Sequence, residues 1–257
     1  MIDNKKISII IAAAGPSVRL KMKDAKSKQF VLLNGKPLLF YSLEKFSQLK
    51  NIHEVIVVTN DVEGTKRLLD LRPFLRKIKI VEGGKLRQES VYNGFNELDS
   101  TCDLVLIHDV ARPLFDINDV RLCIEKAIQT GAAVLAVPVI DTVKKSKSDK
   151  DGLLVEHTIN REGIYSVQTP QVISYDLLFN AYKKYKTKDT LGTPPDLFTD
   201  ESTMIELCGN PVSLIIGSRK NIKITYPEDI EIAEAILAGS QKQNDIRGKN
   251  KEAKCLK

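Results

Sequence analysis

Short apolar runs alternate with helix-patterned segments along the first half of this chain, and that alternation restricts it to few folds. The apolar runs are Ile7–Ala14, Val55–Thr59, Ile78–Val81, Leu104–Ile107 and Ala133–Val139. Between them lie four helix-patterned segments: Lys36–Leu49, Glu63–Phe74, Arg87–Leu98 and Ile117–Gln129. Leu38, Leu39, Leu43 and Phe46 show the near-helical spacing. A strand buried on both faces reads as an unbroken apolar run. Strand and helix in alternation predict a mostly parallel sheet with helices on both faces. Ligands in such sheets sit at the carboxyl ends of the strands. Three polar or glycine-containing turns fall there: Gly15, Gly83-Gly84 and Asp109.

From Asp141 the rhythm changes. Residues 141–160 predict a protruding β-hairpin arm turning at Asp151-Gly152, with little core of its own and so in need of a surface to pack on. A short strand near Tyr165–Gln168, a helix over Tyr175–Lys186, a loop holding Pro194-Pro195 and a helix from about Asp200 follow. Strands over Val212–Ile216 and Asn221–Thr225 come next, and a last helix opens at Pro227. No repeat or linker interrupts residues 1–238, which read as a single domain.

The chain carries a net charge of +6, but six cations between Lys242 and Lys257 face only Asp245 and Glu252. Most of the excess therefore belongs to a basic tail, 239–257, that reads as a solvated end. No aromatic side chain interleaves with its charges, as a nucleic-acid binder would require. Lys5-Lys6 before the apolar run imitates a signal peptide, yet a basic segment stands where a cleavage region would lie, and the run is short for a membrane span. Cys102, Cys123, Cys208 and Cys255 form no CxxC pair. Reduced thiols and a cytoplasmic setting follow.

The turn after the first run is followed by Arg19, Lys21, Lys23, Lys26 and Lys28. A buried strand, a small-residue turn and then clustered cations suit a polyanion such as a nucleoside triphosphate. Neither a P-loop nor GxGxxG is present. The Gly83-Gly84 turn, with Ser90 beyond it, can face a planar base. Asp109, with Arg112 three residues on, suits either a Mg²⁺ site beside anionic oxygens or an internal Asp109–Arg112 ion pair. His108 reads as a packed core histidine.

The ordered set Ala13-Ala14-Gly15…Arg19, Lys28-Gln29-Phe30, Gly83-Gly84…Arg87…Ser90, His108-Asp109…Arg112-Pro113, Asp141-Thr142-Val143-Lys144, Gln168-Thr169-Pro170-Gln171, Thr199-Asp200-Glu201 and Asn221-Ile222-Lys223-Ile224-Thr225 resembles the 2-C-methyl-D-erythritol 4-phosphate cytidylyltransferase family from about Ile7 to Leu237. The resemblance implies a Rossmann-like α/β fold and a homodimer acting on CTP and a polyol phosphate with Mg²⁺, without nucleic acid or membrane. It implies that Arg19, Lys28 and Lys223 stabilise the triphosphate and the transition state. Ala13, Ala14, Gly15, Gly84, Ser90 and Asp109 would hold the nucleotide, and Asp109 the metal. Arg112, Thr142, Arg161, Thr169 and Thr199 would bind the acceptor, with Thr142 and Arg161 reaching into the neighbouring subunit from the arm.

The chain departs from the family's Gly-x-Gly at Gly15-Pro16-Ser17, where Pro16 lacks an N–H and Ser17 lacks glycine's freedom. Weaker CTP binding is the expected consequence. Two other readings compete: a ribitol 5-phosphate (alditol phosphate) cytidylyltransferase, and a catalytically weakened nucleotide-binding homologue.

Overall fold

The computed structural model describes residues 4–15, 20, 27–72, 78–149, 152–186 and 200–240. Strand β1 (Ile7–Ala12) lies inside a seven-stranded sheet between β4 (Ile52–Thr59) and β6 (Leu104–Asp109), pairing in parallel with both. Strand β2 (Leu32–Leu33) and β3 (Lys36–Pro37) form a small hairpin apart from it. The large sheet continues to β5 (Ile78–Glu82) beyond β4. On the other side come β10 (Tyr165–Ser174), β7 (Ala132–Pro138) and edge strand β11 (Ser213–Ile216). Only β10 runs antiparallel to its neighbours, so the sheet is mostly parallel as expected.

Alternation of side chains along the strands divides the core in two. Ile7, Ile9, Ile11, Val57, Leu106 and Leu135 point to one face. There they meet α1 (Leu38–Phe46), α2 (Val62–Asp70), α4 (Ile117–Thr130) and α7 (residues 228–240). Ile10, Ile56, Val58, Val105 and Ile107 point to the other, against α3 (Arg87–Asn96), α5 (Tyr175–Lys186) and α6 (Glu201–Leu207). Burial of each large side chain contributes roughly 1.5–3 kcal/mol relative to leaving it in water. The helices on both faces thus hold the sheet, and the sheet's carboxyl ends are left for ligands.

Local chemistry sets the helix ends. Asp61 and Asp116 accept hydrogen bonds from the first turns of α2 and α4, and Asp200 does so for α6. Gly131 closes α4 with φ of 86°, a conformation other residues rarely adopt.

Three sequence expectations are corrected. Helix α1 starts at Leu38, because Lys36-Pro37 is committed to the hairpin with Leu32-Leu33. The short strand near Tyr165 is a ten-residue strand reaching Ser174. Its polar residues Gln168, Thr169 and Gln171 are buried, each with hydrogen-bond partners. Residues 221–225 are irregular rather than a strand: the Ile224 N–H donates to the Ala111 carbonyl, with no ladder of backbone bonds on either side among the described residues. The arm forms as β8 (Val143–Asp149) and β9 (Gly152–Ile159), paired only with each other. Leu153, Leu154 and Val155 are exposed on it. Its turn residue Asp151 and most of the basic tail lie outside the described residues, while Gly239 and Ser240 close α7.

Candidate active site

Two cavities of ≈ 280 Å³ each open where the carboxyl ends of β1, β5 and β6 meet residues 167–171 of the antiparallel β10. The first is walled by Ala14 and Gly15 after β1, Lys28, the 84–87 turn, Ser90 and the end of β6. The second is walled by Arg112, Val167, Gln168, Thr169, Gln171 and Asp200. Arg87, Asp109 and Lys223 belong to both. A ligand in one cavity and a ligand in the other would therefore meet across these three side chains.

The first cavity is shaped by close backbone packing. A Cβ on Gly83 would run into the Ala14 methyl and Asn60 Oδ1, so only glycine lets the β5–α3 turn lie against the end of β1. The Asn60 amide donates to the Ala14 carbonyl at 2.8 Å and holds that end in place. The Ser90 hydroxyl accepts from the Gly84 N–H at 3.0 Å and donates to the Leu86 carbonyl at 3.0 Å, so it ties the turn together from inside. Ala13 itself is packed in the core, its N–H donating to Val58.

The shared wall is a charged chain. Arg87 Nε donates to Asp109 Oδ1 at 3.0 Å, and Arg87 Nη1 donates to both oxygens of Glu201, at 3.1 and 3.0 Å. Lys223 Nζ donates to Asp109 Oδ2 at 2.6 Å. Burial pushes the Asp109 carboxyl up, but Arg87 and Lys223 outweigh it and hold the group well below the usual carboxylate range. Burial likewise raises the Glu201 carboxyl, with Arg87 opposing, while the two carboxylates hold the Arg87 guanidinium charged against its own burial. The internal pair weighed from sequence is thus not Asp109–Arg112. Arg112 gives its Nη atoms to the carbonyls of Asn221 (2.8 Å) and Val167 (3.4 Å), and its buried Nε has no hydrogen-bond partner among the described residues.

Lys28 also lines the first cavity and donates to the Ile224 carbonyl at 2.9 Å, next to Lys223. Thr169 accepts the Asp109 N–H at 3.1 Å and touches His108 Nδ1 at 3.1 Å. His108 is sealed between Phe46 and Phe115, and burial drives its pKa down to about 3, so it is a neutral core residue as the sequence suggested.

Lys28, Lys223, Gly84, Ser90, Asp109, Arg112, Thr169, Ala14 and Gly15 are therefore assembled around the two cavities. Thr142 and Arg161 are not: both are exposed at the base of the arm, and Arg161 Nη1 is turned to the Ile140 carbonyl. Arg19, Thr199, Pro16 and Ser17 lie outside the described residues. Arg87 and Glu201 carry the centre of the network although neither stands out among the candidates read from sequence. The signal was a cation just after the paired glycines and an acid at the start of a helix.

A mostly parallel α/β sheet with two cavities sharing a charged wall at its ligand edge suits a nucleotide-binding enzyme, and the relatives make that class a nucleotidyltransferase. The family profile of 2-C-methyl-D-erythritol 4-phosphate cytidylyltransferase matches residues 7–239. A curated protein of that name from Alkaliphilus oremlandii is 40% identical over 235 residues, covering 90% of this chain and 95% of its own. One from Geobacillus thermodenitrificans is 40% identical over 231 residues, covering 89% and 96%. The crystal structure of 4-diphosphocytidyl-2C-methyl-D-erythritol synthase from Anaerococcus prevotii superimposes with a TM-score of 0.75 at 32% identity, over 92% of this chain and 98% of that one. The chain belongs to the 2-C-methyl-D-erythritol 4-phosphate cytidylyltransferase family.

Proposed function

We propose that the chain joins CTP to 2-C-methyl-D-erythritol 4-phosphate, giving the CDP-linked polyol and pyrophosphate. The observation that carries this reading beyond family membership is the wall of Arg87, Asp109 and Lys223 common to the two cavities. CTP occupies the first cavity and the acceptor the second, so the acceptor phosphate faces the α-phosphorus at Lys223. A phosphate monoester is largely dianionic near neutral pH, its second pKa being about 6. It attacks without a general base: the new bond forms from its oxygen to the α-phosphorus and the bond to the leaving pyrophosphate breaks. The protein's task is alignment and charge neutralisation. Lys28 and Lys223 supply positive charge to the first cavity, and Arg19 is assigned the same task. Ala14, Gly15 and Gly84 present backbone to the nucleotide, and Ala13, assigned there from the sequence, acts by packing under them. Ser90 acts by holding the Gly84 turn. Arg112 and Thr169, which line the second cavity, meet the acceptor, and Thr199 is assigned to it with them.

Mg²⁺ fits this site. Asp109 offers a hard oxygen donor at the cavity wall, each oxygen accepts one side-chain hydrogen bond and keeps a second lone pair, and one carboxylate with substrate phosphates is a common Mg²⁺ arrangement. When bound, the ion would neutralise phosphate charge.

The protein acts as a homodimer in the cytoplasm. The exposed Leu153, Leu154 and Val155 of the arm and the position of Thr142 and Arg161 outside the lining of their own chain's two cavities support the dimer, and the free thiols of Cys102, Cys123 and Cys208 agree with a reducing compartment. No helix among the described residues is long and apolar enough to cross a membrane. Pyrophosphate release from CTP, measured with methylerythritol phosphate and ribitol phosphate side by side, tests the reading. Turnover preferring the branched tetritol supports it; preference for ribitol phosphate, or CTP binding without turnover, overturns it.

A further inference from the structure

We infer that Arg87 is a positioning residue for the transfer step, anchored by the buried Glu201, and that the pair sets where Asp109 holds the Lys223 ammonium between the two cavities. This inference rests on the proposed function. Three elements meet at Arg87: it opens α3, Glu201 opens α6, and Asp109 ends β6. The Glu201 side chain is only 2% exposed. A buried ion pair of this kind does not by itself stabilise a fold better than apolar groups of the same size. What the guanidinium supplies is geometry: a rigid planar fork whose Nε and Nη1 address two carboxylates from two different elements. With Oδ1 of Asp109 fixed by the fork, Oδ2 has a fixed direction, and that oxygen holds Lys223 Nζ at 2.6 Å.

The order Glu201–Arg87–Asp109–Lys223 also joins the turn that walls the first cavity to the helix beside the second. A lysine at position 87 keeps the positive charge and loses the fork. It can reach one carboxylate well but not both in the arginine's plane. Misplacement of a catalytic cation by a fraction of an ångström to 1 Å is enough to reduce turnover by one to two orders of magnitude while binding survives.

The test compares wild type, Arg87→Lys, Glu201→Gln and the double variant. The readouts are kcat and KM from pyrophosphate release, the CTP dissociation constant by calorimetry, and thermal melting. We expect Arg87→Lys to lose about tenfold or more in kcat with CTP affinity within about threefold. Glu201→Gln should move the same way by less. The double variant should match Arg87→Lys alone, because both substitutions act along one line. Arg87→Lys with kcat within about twofold of wild type would overturn the inference, as would a tenfold loss of CTP affinity at unchanged kcat, which marks a direct ligand contact. Multiplicative losses in the double variant would also overturn it. If Arg87→Lys does not melt cooperatively, Glu201→Gln decides alone, on the same kcat and affinity criteria. A wild type that turns over neither acceptor removes both readings; a wild type that turns over while Arg87→Lys keeps pace removes only this one.

Discussion

Lys223 and Asp109 are 114 residues apart in sequence and 2.6 Å apart in space, and their contact stands where the two cavities meet. The side chain of Lys223 is 41% exposed and that of Asp109 10%. The lysine thus keeps a face toward ligand while the aspartate anchors it. Its charge can follow the negative charge that builds at the α-phosphorus. Lys223→Ala is expected to lower kcat by about 10²-fold with KM for CTP little changed, the pattern of a group whose contact strengthens in the transition state. Steady-state pyrophosphate release reads both constants. A raised KM with intact kcat would assign Lys223 to ground-state binding instead. Lys28→Ala should behave alike, since Lys28 also fixes the Ile224 carbonyl next to Lys223.

Gly83 is a packing requirement of the nucleotide cavity. A methyl there meets Asn60 Oδ1 and, closer still, the Ala14 Cβ, which is fixed to the backbone just after β1 and cannot swing aside. Gly83→Ala must therefore push the β5–α3 turn off the end of β1 and open the cavity wall. CTP affinity by calorimetry should fall about tenfold or more, while melting shifts by only a few degrees, as the turn is at the sheet's edge of the core. Unchanged CTP affinity would show that the turn does not shape the nucleotide site.

Lys45 gives a pH signature separate from the site. Its ammonium donates to the Phe115 carbonyl at 2.5 Å inside the α1 face, and burial pulls its pKa down from 10.5 to about 8. The unfolded chain therefore holds this proton more tightly than the folded one. Between about pH 8 and 10.5 the folded state gives it up first, so stability from this group rises with pH across that window and is flat below it. Comparing unfolding free energies of wild type and Lys45→Met from pH 7 to 10.5 isolates the effect. The wild type should gain on the order of a few kcal/mol relative to the variant. A flat difference would mean the ammonium stays hydrated in the fold.

The sheet and its ligand edge were legible in the sequence because strands covered on both faces cannot interrupt their apolar runs, and Ile7–Ala12, Leu104–Asp109 and Ala132–Pro138 are covered so. Asp109 was legible as a carboxylate ending such a run. Its partners were not. The nearest cation in sequence, Arg112, turns to backbone carbonyls, and the groups that bind Asp109 arrive from α3 and from residue 223. Residues 221–225 imitate a strand by alternating Asn221, Ile222, Lys223 and Ile224. Buried Asn221 ties the segment to the Gln168 side chain and the Thr169 carbonyl, and no strand among the described residues pairs with it. Strand β10 hid for the opposite reason: its polar residues look solvated until their buried partners are known.

The arm makes the last prediction. Its two strands pair only with each other and leave Leu153, Leu154 and Val155 exposed, while Thr142 and Arg161 at its base line neither cavity of their own chain. If the arm packs on a second copy, those two residues complete the partner's acceptor cavity, and each site in the dimer draws on both chains. Arg161→Ala should then raise KM for the polyol phosphate far more than KM for CTP. Co-expressing Lys28→Ala with Arg161→Ala chains supplies the decisive comparison. Each homodimer carries two damaged sites, but a hybrid carries one site with both lesions and one with neither. With random pairing, about a quarter of wild-type activity should return. Chains that act in isolation would show no gain over the average of the two variants.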